Sequence, residues 1–60
     1  MALKARVLVV EDDPVNAKIL RRVFEKEGYD VSWAEDGLQG YQKYIERPFH
    51  LIIEDVMMPV

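Results

Sequence analysis

Residues 7–14 read VLVVEDDP, and how they divide decides the fold. Val7-Leu8-Val9-Val10 is an unbroken, β-branched-rich apolar run, the pattern of a strand covered on both faces. Acids follow at once, then Asp13-Pro14, which opens a helix: Asp as N-cap and Pro at the first helical position, where its missing N–H costs nothing. Val15, Ile19, Leu20, Val23 and Phe24 continue as a single apolar stripe. Gly28 is the expected left-handed stop, with Lys26 near the negative end of the helix dipole.

Outward from this core the elements keep alternating. Tyr29, Val31 and Trp33 interleave with Asp30 and Ser32, which implies a half-exposed strand, most simply an edge. Asp36 and Gln39 have capping-box-like spacing and start a second helix with Leu38, Tyr41 and Ile45 as its stripe. After Pro48, "FHLII" (residues 49–53) reads as a second continuous apolar strand running into Glu54-Asp55. The pattern is a βαβαβ α/β unit with a parallel sheet. Order 2-1-3 puts the alternating strand outside and makes the two apolar strands neighbours, with right-handed crossovers placing the helices on opposite faces. That order leaves a crevice at the carboxyl ends of strands 1 and 3.

Composition bounds the rest. Sixty residues with 50% hydrophobic and 32% charged content describe one globular domain at most. Without cysteine there is neither a disulfide framework nor a thiolate metal site. The apolar stretch near the N-terminus is too short for a signal core, and no run reaches the roughly 20 residues of a membrane span. A cytoplasmic chain with no membrane partner is expected. Its net charge of −3 gives no support for nucleic-acid binding.

Glu11 and Asp12 end strand 1, and Asp55 ends strand 3, so three carboxylates are expected on one rim. Crowded like charges raise one another's pKa unless a cation neutralises them. A hard divalent ion such as Mg²⁺ takes oxygen ligands and is typically held by one or two carboxylates plus phosphate oxygens. A carboxylate beside it can act as a nucleophile toward phosphorus. Asp13 and Asp36 read as helix caps rather than ligands. Glu54, one residue before Asp55, is expected on the opposite face as a solvated or paired acid. His50 reads as a surface residue at the start of its strand, without a catalytic role. Met57 and Met58 read as loop residues packing under the site.

"VLVVEDDPVNAKIL", "AEDGLQGYQKY" and "HLIIEDVMMPV" together resemble the first half of a response-regulator receiver domain, the phosphoacceptor module of two-component signalling. The resemblance runs from about Arg6 to Val60. Receivers are flavodoxin-like doubly wound sheets of order 2-1-3-4-5, so the order 2-1-3 rests on the resemblance as well as on the pattern. The resemblance implies that Asp55 is the phosphoacceptor, Asp12 a direct Mg²⁺ ligand and Glu11 an acid acting through metal-bound water. It also implies that the backbone carbonyl of Met57 completes the metal site. The implied partner is a histidine kinase or phosphotransfer protein, and the implied role is signalling rather than enzymatic. "PVN" around Asn16 is similar to receivers fused to hybrid histidine kinases.

Against that family, residues 1–60 are expected to be a half-domain. The chain contains no Thr and no Lys after Asp55, so the family's phosphoryl-binding hydroxyl and Lys are missing and phosphorylation is expected to be impaired. Strand 3 is expected to be an apolar edge that pairs with its copy in a homodimer of order 2-1-3-3′-1′-2′. The alternative reading is a truncated or engineered assembly module without phosphotransfer. A weaker third is a plain cation-binding module, for which Trp33, on strand 2, is expected to lie too far away to report.

Overall fold

The structure is a computed structural model, and it describes residues 4–54. Strand β1 (Arg6–Val10), helix α1 (Pro14–Lys26), strand β2 (Asp30–Ala34), helix α2 (Gly37–Glu46) and strand β3 (Leu51–Glu54) follow in that order. The sheet is parallel with order β2-β1-β3. Val7 faces Val31 on one side and Leu51 on the other, and Val10 faces Ala34 and Glu54. This is the expected βαβαβ unit of a flavodoxin-like sheet.

The core is β1 itself. Val7, Leu8 and Val9 are buried, joined by Ala17 of α1 and Ala34 of β2. A strand hydrogen-bonded on both edges and covered on both faces tolerates only apolar side chains, which is why the continuous run lies here.

The caps match their sequence signals. Asp13 Oδ1 accepts the Val15 N–H at 3.0 Å, with Pro14 opening α1. Gly28 takes φ 95°, and the Tyr29 N–H donates to Phe24 O at 3.1 Å, closing the helix end through a left-handed residue. Asp36 Oδ1 accepts the Gln39 N–H at 2.8 Å. The reciprocal bond is shifted by one residue, because Gln39 Oε1 accepts from the Glu35 N–H rather than from the cap's own.

The apolar stripes differ from expectation. In α1, Leu20 and Phe24 are half-buried, but Val15, Ile19 and Val23 are exposed. The helix rests on Ala17, so only the flank nearest this small residue touches the sheet. In α2, Leu38, Tyr41 and Ile45 are all exposed, and Gly40 is the buried contact. A Cβ on Gly40 would meet Val10 Cγ2 at 3.1 Å and Leu8 Cδ2 at 3.6 Å. The glycine thus lets α2 lie close to the Leu8–Val10 face, and it rotates the larger residues outward.

β3 is also shorter than "FHLII" suggested, because Phe49 and His50 precede it and brace the sheet's amino end. The Arg6 guanidinium carbon lies 4.2 Å from the centre of the Phe49 ring, and Arg6 Nη1 donates to Pro48 O. The Arg6 N–H donates to His50 Nδ1 at 2.8 Å, and the His50 N–H donates back to Arg6 O at 2.8 Å. His50 is exposed, as expected, yet its ring acts as a backbone acceptor that sets the β1–β3 register.

Two outcomes follow from these contacts. Gly40→Val forces a branched side chain against Val10 and should lower stability in urea unfolding by about 1–3 kcal/mol; Gly37→Ala, with nothing within 4 Å of its added Cβ, should not. His50→Ala should cost about 0.5–1.5 kcal/mol, and His50→Asn, which keeps an acceptor, should recover part of it.

Candidate functional site

β1 delivers Glu11 and Asp12 to the carboxyl end of the sheet. There they share a crevice of about 240 Å³ with Glu35, Asp36, Gly37 and Glu54. The crevice lies at the carboxyl end of the sheet, where the β1–α1 and β2–α2 turns begin beside the end of β3, the place expected of this strand order. Among the described residues, the polar side chains that line it are all carboxylates.

The acids are held very differently. Glu11 is buried, only 4% exposed, and three of its groups are engaged. Its N–H donates to Ala34 O at 3.0 Å, continuing the β1–β2 ladder. Its Oε1 accepts the Asp13 N–H at 3.1 Å, and its carbonyl accepts Trp33 Nε1–H at 2.8 Å. The Asp13 N–H offsets part of the cost of burying the carboxylate, and the other two bonds hold its backbone. Asp12, by contrast, is exposed at the rim. Glu54 is exposed, as expected, but it also lines the crevice, since it sits opposite Val10 in register. Asp13 and Asp36 serve as caps.

Asp55 and Met57, the remaining members of the expected site, lie outside the described residues. Among the described residues, no group of three or more His, Cys, Asp or Glu side chains is placed to hold a metal ion. The donors present are nonetheless the right chemistry for a hard cation: carboxylate oxygens only, one buried and fixed, one at the solvent edge. Mg²⁺ is commonly held by one or two protein carboxylates with water completing its shell, so Glu11 and Asp12 fit that role as a pair.

Two contributors were not visible in the sequence pattern. Glu35 lines the crevice because β2 ends beside β1. Trp33, expected to lie far from the acids, instead hydrogen-bonds the Glu11 carbonyl. The available signal was the indole itself, since a half-buried Trp usually finds a partner for its N–H.

The fold and the acidic crevice define part of a flavodoxin-like doubly wound α/β module. Residues 7–60 match the family model of the response regulator receiver domain, and the chain belongs to that family. It is 37% identical over 54 residues to an uncharacterized transcriptional regulatory protein, YclJ, of Bacillus subtilis, covering 90% of this chain and 24% of that protein. It is 37% identical over 54 residues to the response regulator receiver protein CpdR of Brucella abortus, covering 90% and 45%. With the aerobic respiration control protein ArcA of Escherichia coli K12 it shares 42% identity over 53 residues, 88% and 22%. The chain thus spans less than half the length of these relatives. No solved structure matches it significantly. Among the described residues, no helix is long and apolar enough to cross a membrane.

Because the Glu11 carboxylate caps the Asp13 N–H inside the protein, Glu11→Ala should destabilise the fold by about 1–3 kcal/mol. Glu11→Gln, which keeps an acceptor oxygen, should recover most of that loss in thermal or urea unfolding.

Proposed function

We propose that this chain is a phosphoacceptor unit of a cytoplasmic two-component phosphorelay, with Asp55 as the residue phosphorylated. The observation that carries the reading is the delivery of Glu11 and Asp12, by the buried central strand, to a crevice also lined by Glu54, the residue directly before Asp55. Membership of the receiver family supports the same assignment.

In this reading Glu11 and Asp12, with Asp55 and the Met57 carbonyl, would hold Mg²⁺, which would supply positive charge to offset that on the phosphoryl oxygens. An Asp55 carboxylate oxygen attacks phosphorus, an acyl phosphate forms, and the bond to the donor's leaving group breaks. With a histidine kinase or phosphotransfer protein as donor, that bond is P–N and the leaving group is imidazole. The buried, triply engaged Glu11 fixes the turn that carries Asp12, while Asp12 itself is exposed at the rim. The chain acts as a signalling acceptor, not as an enzyme turning over a separate substrate.

A second reading, assembly as a homodimer, is favoured by exposed apolar surface. Leu51 and Ile52 on β3 are each 46% exposed. A groove of about 420 Å³ runs between α2 and β3, lined by Leu8, Val10, Tyr41, Tyr44 and Ile52 among others. An apolar edge strand of this kind recruits another strand, and β3 of a second copy would give the antiparallel centre of a 2-1-3-3′-1′-2′ sheet. A monomeric mass in sedimentation at micromolar concentration rules that assembly out.

The phosphoacceptor reading is tested by incubating the chain with acetyl phosphate and Mg²⁺ and weighing it intact. The expected result is a mass gain of one phosphoryl group that hydroxylamine removes and that Asp55→Asn abolishes. No adduct, or an adduct that persists in Asp55→Asn, contradicts it.

A further inference from the structure

The Glu11–Asp12 turn needs something to hold it once the sheet has ended. β1 is paired with β2 up to Val10 opposite Ala34, and one more bond, Glu11 N–H to Ala34 O, continues the ladder. In a parallel pair the N–H two residues further along β2, that of Asp36, would then meet the Glu11 carbonyl. β2 stops at Ala34 before that residue is reached, and Asp36 serves instead as the N-cap of α2. The Trp33 indole fills the place: its Nε1–H donates to Glu11 O at 2.8 Å. Trp33 sits opposite Val9 in register, is half-buried, and reaches forward along β1 to the first carbonyl beyond the strand.

The carbonyl it holds belongs to the peptide joining Glu11 to Asp12. That unit is planar, so fixing its oxygen fixes the direction in which the Asp12 Cα leaves the strand. Two bonds from adjacent β2 residues, Ala34 to the N–H and Trp33 to the C=O, therefore orient both peptide planes flanking Glu11. Glu11 Oε1 then braces Asp13 from the other side. Among these bonds, the one from Trp33 alone is made by a side chain outside the acidic turn, so it is the one a substitution can remove without touching an acid.

We propose that Trp33 is a positioning residue of the acidic crevice: its indole N–H fixes the Glu11–Asp12 peptide and so presets the exposed Asp12 carboxylate for a divalent cation. The inference deepens the phosphoacceptor reading and rests on its cation-binding part. It also makes Trp33 a spectroscopic reporter of the crevice, since a cation that draws on Asp12 loads the peptide whose carbonyl the indole holds. Indole emission responds to such a change at its N–H.

The test compares wild type, Trp33→Phe, and a chain carrying benzothienylalanine at position 33, which keeps the bicyclic shape and replaces the N–H by sulfur. Amide NMR without metal reads positioning. The expected result is that Asp12 and Asp13 resonances shift in both variants, while Val7 and Leu8 stay put in the benzothienylalanine chain. Calorimetric titration with Mg²⁺ alone reads the consequence, and both variants should bind about fivefold more weakly, the loss of roughly one hydrogen bond. In wild type, Trp33 emission should change saturably with Mg²⁺ and not with NaCl of equal ionic strength. If Asp12 and Asp13 are unmoved in the benzothienylalanine chain, or if it binds Mg²⁺ as wild type does, the positioning role is overturned and the cation reading stands. If wild type takes up no Mg²⁺ although those resonances shift, the cation reading itself fails, and with it the role assigned to Trp33.

Discussion

Everything in this molecule depends on the burial of β1. Val7, Leu8 and Val9 are sealed between α1 and α2 and hydrogen-bonded to a strand on each side. A strand so enclosed cannot carry a polar side chain until it leaves the sheet. The first residue to do so is Glu11, and the change from apolar to acidic is therefore the boundary between core and site. The 2-1-3 order makes that boundary chemically useful, since the ends of all three strands meet there around a crevice. The same continuity ties fold to function, because the β1 register sets the height at which Glu11 and Asp12 emerge beside Glu54.

The opposite end of β1 is anchored with equal care. Arg6 gives its guanidinium to the Phe49 ring and the Pro48 carbonyl, and exchanges two backbone-directed bonds with His50. These contacts stop β3 from sliding along β1. A slip of one residue would turn the side chains of β3 to the wrong faces and move Glu54 away from the crevice. The amino end of the sheet thus fixes the register, and the carboxyl end uses it. Trp33 links the two, since its place opposite Val9 follows from the β1–β2 register while its indole acts on the Glu11–Asp12 turn.

The elements and strand order could be read from the sequence because their signals are local: an unbroken β-branched run, Asp-Pro and Asp-x-x-Gln caps, and a left-handed glycine. The family resemblance added to the pattern in fixing the order. Burial within the helices was less legible. Hydrophobic periodicity identified the stripes Val15–Ile19–Leu20–Val23–Phe24 and Leu38–Tyr41–Ile45, of which only Leu20 and Phe24 are half-buried; the most buried helix residues are Ala17 and Gly40, because small residues permit the closest approach and no hydropathy pattern marks them. The site showed the same division. Adjacent acids after an apolar strand pointed to Glu11 and Asp12, whereas the contributions of Trp33, Glu35 and His50 arise from long-range pairing. Those depend on which backbone groups the turns leave without a ladder partner, a property of the folded chain alone.

The central claim is that the acids at the end of β1 form the cation-binding end of the molecule. Titration with Mn²⁺ followed by NMR line broadening tests it most directly, because paramagnetic broadening falls steeply with distance from the ion. The account predicts that the amides of Glu11, Asp12, Glu35 and Glu54 broaden first and that Mg²⁺ reverses the effect. Arg6, Phe49 and His50, at the other end of the sheet, should remain sharp. Broadening that starts at those three residues, or that spreads evenly over the chain, would contradict it.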